Sequence, residues 1–297
     1  MTGARGFVGS CLGPRLERAG HVVERFEMGA DVCDAAAVDA SLARARADAV
    51  VHLAALTSVA RSFAEPEAVG RVNYLGTLNV LRAAARRAPR ARVLLVTSSE
   101  IYGHAAIPAD PVGFDEGAPL RPASPYARSK ACADALGAAW AARGLDVVRA
   151  RPFNHTGPGQ PDDFVASGFA RQLAEIEAAR RPAEIEVGNL DAVRDFLDVE
   201  DVAEAYLRLL DAAVPRAAYN VASGVGVAVR ELLEGLLAHS TARPTVRVDP
   251  SRWRPADASL GAARRLRRAT GWMPRIALAD TLGRLLAHWR AQLSATR

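Results

Sequence analysis

The chain has 297 residues, half of them hydrophobic and 24% charged, and its net charge of +5 is carried almost wholly by arginine. These values fit a globular protein with a large core and exclude a disordered or collagen-like chain. No apolar run reaches the roughly 18 residues of a membrane span, no basic start followed by an apolar stretch marks a signal peptide, and arginines scattered without interleaved aromatics argue against nucleic-acid binding. Cys11, Cys33 and Cys132 lack CxxC spacing and read as thiols of a reducing cytoplasm. No His/Cys/Asp group has metal-ligand spacing.

In chain order, a glycine-rich turn at 2–9 opens a helix over 8–19. Strands are expected over 21–26, 49–53, 92–97 and 146–151, with helices over 69–88 and 126–143. β-Branched apolar runs alternating with alanine-rich helical stretches spell βαβ units and a parallel sheet. Ser124 can cap the helix over 126–143, Pro125 suits its first turn, and Gly144 supplies its stop. After 151 the texture changes. A loop is expected over 154–164, then a helix over 169–179, a strand over 184–187, a helix over 199–212 and a short strand over 219–221.

The expected fold is α/β: a doubly wound parallel-sheet Rossmann domain, residues 1–152 plus 189–222, with a smaller α/β substrate domain, 153–188 plus 223–297. One feature departs from that plan. A Rossmann unit places a strand before the glycine turn, and here only Met1 precedes it. About six further residues, the length of one strand, are therefore expected upstream.

Gly3, Gly6 and Gly9 let the backbone approach a pyrophosphate at the positive end of the first helix. Arg5, Phe7 and Val8 lie in the same turn as candidate cofactor contacts. Glu27 is eighteen residues beyond Gly9, where a carboxylate accepts from a ribose hydroxyl and repels a 2′-phosphate. Arg5 and Arg25 could instead serve that phosphate, so NADH and NADPH both stay open. Asp31 and Val32 could edge the adenine.

The stretch 96–103 follows a strand end, where ligands bind in open α/β sheets. Lys130 is the sole lysine of the chain and lies four residues after Tyr126. A lysine kept among arginines suits a position that needs a compact ammonium with a shiftable pKa. Tyr126 and Lys130 share one helical face, and a nearby ammonium is expected to lower the phenol's pKa. With Ser98 they form a proton-transfer triad. Ser98 holds a substrate oxygen, Tyr126 exchanges its proton, and Lys130 tunes Tyr126 and grips the nicotinamide ribose.

TGARGFVG (2–9), VVHLAA (50–55), the run Asn73-Tyr74-Leu75-Gly76-Thr77 and the Tyr126/Lys130 pair resemble the extended short-chain dehydrogenase/reductase family over nearly the whole chain. That resemblance implies an NAD(P)H enzyme in which Asn73 is structural and Leu53, Ala54, Ala55 and Pro152 adjoin the cofactor. More narrowly, RPFNHTGPGQ (151–160), FARQLAEIE (169–177), GNLDAVRDFLDVEDV (188–202) and YNVASG (219–224) resemble reductases of the 4-keto group of GDP-4-keto-6-deoxy-D-mannose, which yield GDP-D-rhamnose. The related GDP-mannose 4,6-dehydratases share the FNH but then carry a Glu-Ser-Pro-Arg-Arg-like run, where this chain has Thr156-Gly157-Pro158-Gly159-Gln160.

Glu100 matches a dehydratase glutamate that removes the sugar's C5 proton. A 4,6-dehydratase, or another nucleotide-sugar epimerase/dehydratase, therefore stays as the alternative. By the same resemblance Arg194 and Arg254 contact the substrate diphosphate, and Asn154 fixes a sugar hydroxyl or that diphosphate. Thr57, Ser58, Ser99 and Asn189 join Ser98 and Glu100 in the substrate-binding set, whereas His155 is structural. The implied partner is a GDP-linked 4-keto-6-deoxy hexose. The implied assembly is a homodimer through a four-helix bundle, to which each subunit gives two helices, one of them 126–143.

Overall fold

The computed structural model describes residues 1–26, 30–105, 113–250 and 257–295. Glu27 and Arg254 lie outside the described residues. The strands are β1 (Ala49–His52), β2 (Arg92–Val96), β3 (Val147–Pro152), β4 (Asn154–Thr156), β5 (Glu184–Val187), β6 (Val193–Asp198), β7 (Ala218–Val221), β8 (Gly226–Ala228), β9 (Thr245–Val248) and β10 (Ala258–Ser259). The helices are α1 (Phe7–Arg18), α2 (Ala35–Ala45), α3 (Val59–Ala64), α4 (Pro66–Gly70), α5 (Gly76–Arg87), α6 (Pro125–Ala142), α7 (Val165–Glu177), α8 (Val199–Leu209), α9 (Val229–Ala238), α10 (Arg264–Thr270) and α11 (Leu278–Ala295).

β1, β2, β3 and β7 form a parallel sheet in the order β1-β2-β3-β7. Their near-continuous apolar runs are those of strands covered on both faces. On one face Leu12 and Leu16 of α1 and Val202, Tyr206 and Leu209 of α8 pack over Leu94, Val148 and Tyr219. On the other, Val38 of α2 and Val80, Leu81 and Ala84 of α5 pack with Val93, Leu95 and Val147, and Leu136 and Trp140 of α6 close that side. The sheet is doubly wound, so its strand ends open into one crevice. A separate apolar core joins Phe169 and Leu173 of α7, Ile185 and Val187 of β5, Leu232 and Leu236 of α9, and Leu282, Leu285 and Leu286 of α11. β6 links the two regions, pairing in parallel with β4 and β10 and antiparallel with β8.

Three sequence expectations are corrected. Residues 21–26 form no strand. Their contacts with the first residues are isolated: the Met1 amino group donates to Glu24 O at 2.6 Å and the Phe26 amide to Met1 O at 2.9 Å, while Thr2 makes a single bridge to His52. A ladder needs a row of paired residues, and isolated hydrogen bonds do not make one. The expected loop at 154–164 begins as β4, because Asn154 and Thr156 pair with Phe196 and Asp198. The helix expected from 169 starts at Val165. Gly168, inside this helix, lies so near Asp162 O that a Cβ would stand 2.7 Å from it, so close packing requires a glycine there. Among the described residues no helix is long and apolar enough to cross a membrane.

Candidate active site

The β2 strand ends at Val96, and the chain turns into a 3₁₀ turn over Ser99–Tyr102. Ser98 caps that turn: its hydroxyl accepts the Glu100 amide at 3.2 Å. Opposite, Ser124 Oγ accepts the Ala127 amide at 3.0 Å and Pro125 occupies the first turn of α6. This start sets Tyr126 and Lys130 on successive turns of one buried face, 7% and 6% exposed.

The Tyr126 phenol lies beside Ser98, close enough for the hydroxyl to influence its titration. Burial pushes its pKa up to about 12, and Glu100 adds to the rise while Ser98 opposes it. The expected lowering by Lys130 is not what the structure gives. The Lys130 ammonium donates to Val96 O at 3.0 Å, and burial draws its own pKa down to about 8. Desolvation is the leading cause at both groups.

A π-helical turn over Arg71–Leu75 separates α4 from α5 and carries Asn73. Its side chain accepts the Leu56 amide at 2.9 Å and donates to Leu56 O at 3.0 Å and Ser129 Oγ at 2.9 Å. The segment after β1, which holds Leu53, Ala54 and Ala55, is thereby tied to α6.

At the other side of that segment Gly3 adopts φ +64°, and a Cβ there would stand 2.7 Å from Ala54 N. A Cβ on Gly9 would stand 2.8 Å from Ala4 C. Gly6 caps α1, whose first turn has no acidic residue. Beside it lies a cavity of about 400 Å³ lined by Gly3, Ala4, Arg5, Gly6, Arg25, Phe26, Ala30, Asp31, Val32 and Ala54. A glycine cradle at a positive helix end beside such a cavity fits the pyrophosphate and adenosine of a dinucleotide. Phe7 stacks on His155 with centroids 6.0 Å apart, and Val8 packs on the core. Pro152 ends β3 opposite Val221.

The remaining sequence candidates lie on several elements. Ser58 caps α3 by accepting the Arg61 amide at 3.3 Å, next to exposed Thr57. Ser99 is buried in the 3₁₀ turn. Asn154 opens β4. Asn189 accepts the Asp191 amide at 2.9 Å in the turn before β6, so it shapes that turn. His155 Nδ1 is bonded to Phe153 O at 2.9 Å.

Glu100 is not alone beside Tyr126. Both its oxygens bond His104 Nε2, at 3.3 and 3.2 Å, and His104 Nδ1 lies 2.5 Å from Asp257 Oδ2. Arg194 Nη2 reaches Asp257 Oδ1 at 2.6 Å. The sequence reading did not single out His104 or Asp257. Their signal in sequence is slight: His104 is four residues beyond Glu100, a spacing that counts only inside a helical turn, and Asp257 is distant in the chain. Among the described residues no group of His, Cys, Asp and Glu is placed to hold a metal ion.

A model of the GDP-mannose 4,6 dehydratase family matches residues 15–285. The chain is 41% identical over 249 residues to the GDP-6-deoxy-D-mannose reductase of Pseudomonas aeruginosa, covering 83% of this chain and 81% of that one. The structure of RMD from Pseudomonas aeruginosa complexed with NADPH superposes with a TM-score of 0.88 at 36% identity, covering 98% and 97% of the two chains. The Thermus thermophilus UDP-glucose 4-epimerase complex with NAD superposes with a TM-score of 0.86 at 27% identity, covering 97% of each.

Proposed function

This chain belongs to the GDP-mannose 4,6-dehydratase family of the extended short-chain dehydrogenases/reductases, and from that premise we propose that it reduces the 4-keto group of GDP-4-keto-6-deoxy-D-mannose with NAD(P)H, giving GDP-D-rhamnose. The observation that carries the reading is the 41% identity to a reductase of that class over 83% of the chain. The placement of Ser98 beside the Tyr126 phenol, at the end of β2, supports its chemistry.

A bound NAD(P)H supplies the hydride for sugar C4. Tyr126, fully protonated at neutral pH, delivers its phenolic proton to the C4 oxygen. Ser98 donates a hydrogen bond to the same oxygen and holds it beside the phenol. The desolvated Lys130 ammonium, one turn along α6, stabilises the phenolate that remains. Acid–base assistance of this kind is worth about 100- to 10,000-fold in rate.

The loop over 156–160 supports the reductase over the dehydratase. Gln160 locks it internally, accepting from Thr156 Oγ1 at 2.6 Å and donating to His155 O at 2.8 Å, while its own carbonyl accepts from Ser167 at 2.6 Å. No arginine occupies that loop. The family model and Glu100 favour a second reading, the 4,6-dehydratase, in which reduced cofactor is recycled. Nicotinamide absorbance separates them. Stoichiometric oxidation of NADPH or NADH with the keto sugar is expected. Consumption of GDP-mannose without net change in reduced cofactor overturns the reductase.

A further inference from the structure

Four charged side chains run from the strand-end turn to the β6 arm: Glu100, His104, Asp257 and Arg194. Glu100 meets His104 Nε2 at 3.2 Å. Asp257 meets His104 Nδ1 at 2.5 Å with one oxygen and Arg194 Nη2 at 2.6 Å with the other. Arg194 Nη1 also donates to Val193 O at 2.9 Å and Asp257 O at 3.1 Å, and its Nη2 stands 3.4 Å from His104 Nδ1. The four side chains are between 17% and 27% exposed, so solvent screens them only in part.

The geometry dictates a protonation state. An ionised carboxylate only accepts, and a neutral imidazole donates from one nitrogen alone. A carboxylate at each nitrogen therefore requires imidazolium. The cluster then holds two cations and two anions and is neutral. Its parts come from three elements: the turn after β2, β6, and the approach to β10.

We propose that His104 is a positioning residue, holding Asp257 against Arg194 and Glu100 against the strand end, so that Arg194 is set for the diphosphate of the nucleotide sugar. This deepens the reading above and rests on Arg194 meeting that diphosphate. When His104 loses its proton, one carboxylate loses its donor and the cluster acquires a net negative charge. An anionic ligand then binds less well. Among the described residues the charged groups facing His104 are Glu100, Asp257 and Arg194. The hydrogen bond that His104 donates to Glu100 is the largest influence and raises the imidazole above its ordinary 6.5, so the change falls above that value.

The test is calorimetric titration of the full chain, loaded with NADPH, with GDP-mannose from about pH 6 to about pH 8.5. The bridged diphosphate keeps its charge over that range, and reduced cofactor prevents hydride abstraction. Wild-type affinity is expected to fall about five- to tenfold as pH rises through the window. His104→Gln is expected to bind weakly throughout and to lack that dependence, with NADPH affinity unchanged. Asp257→Asn, which keeps an acceptor but removes one charge, is expected to move the transition towards lower pH. A flat wild-type profile, or one that both variants retain, overturns the proposal. If the keto sugar is not reduced but the profile is present, the substrate reading fails and this inference stands. Reduction without the profile overturns this inference alone, and absence of GDP-mannose binding overturns both.

Discussion

Lys130 shows how much one side chain's role depends on what surrounds it. Its spacing from Tyr126 is visible in the sequence, and so is its isolation among arginines. Its electrostatics are not, because they follow from burial: the ammonium sits against Val96 O with its pKa drawn down to about 8. Replacing it by arginine keeps the charge but brings a planar, bulkier fork that cannot take the place of a point donor. Lys130→Arg is expected to lower kcat by about 100-fold or more, the scale of lost acid–base assistance, with a thermal midpoint close to wild type. Steady-state kinetics beside a melting curve check this, and activity within about twofold of wild type would make the lysine a bystander.

Among the elements, the end of β1 is where local sequence and tertiary context meet. VVHLAA reads as a strand running into a cofactor-side loop, and β1 does end there, at His52. His52 is buried, with Nδ1 2.8 Å from Thr2 Oγ1 and Nε2 3.1 Å from Thr77 Oγ1. It therefore joins the first residues, β1 and α5. Burial pulls its pKa down from 6.5 to about 3. Between those values the unfolded chain binds more protons than the folded one, so stability rises with pH across the window and is lost on acidification. Urea midpoints are expected to fall as pH drops from 6.5 towards 3. His52→Asn is expected to flatten that part of the profile, and an unaltered slope in this variant would assign the acid lability elsewhere.

At the scale of the molecule, two apolar cores flank the parallel sheet and a third lies under α7, α9 and α11. That arrangement supports the proposed partition into a cofactor-binding region and a substrate region bridged by β6. The outward face of α6 is made of Arg128, Cys132, Ala135 and Ala139, all exposed. Small side chains on a long helix permit close helix packing, which suits the homodimer that the family resemblance implies. Sedimentation of the wild type as a dimer and of Ala135→Arg as a monomer is the expected outcome. A monomeric wild type would end the proposal.

The sequence by itself determined the α/β class, the glycine cradle and the pairing of Tyr126 with Lys130, because turn chemistry and helical spacing are local and leave a mark within a few residues. Tertiary structure alone decided that burial, not the ammonium, governs the Tyr126 phenol. It also decided that Asn154 and Thr156 pair with β6, and that Glu100 shares His104 with Asp257. Desolvation, strand pairing and charge neutralisation between segments far apart in the chain are set by what folds around a residue, and the residue's own neighbours in sequence do not encode them.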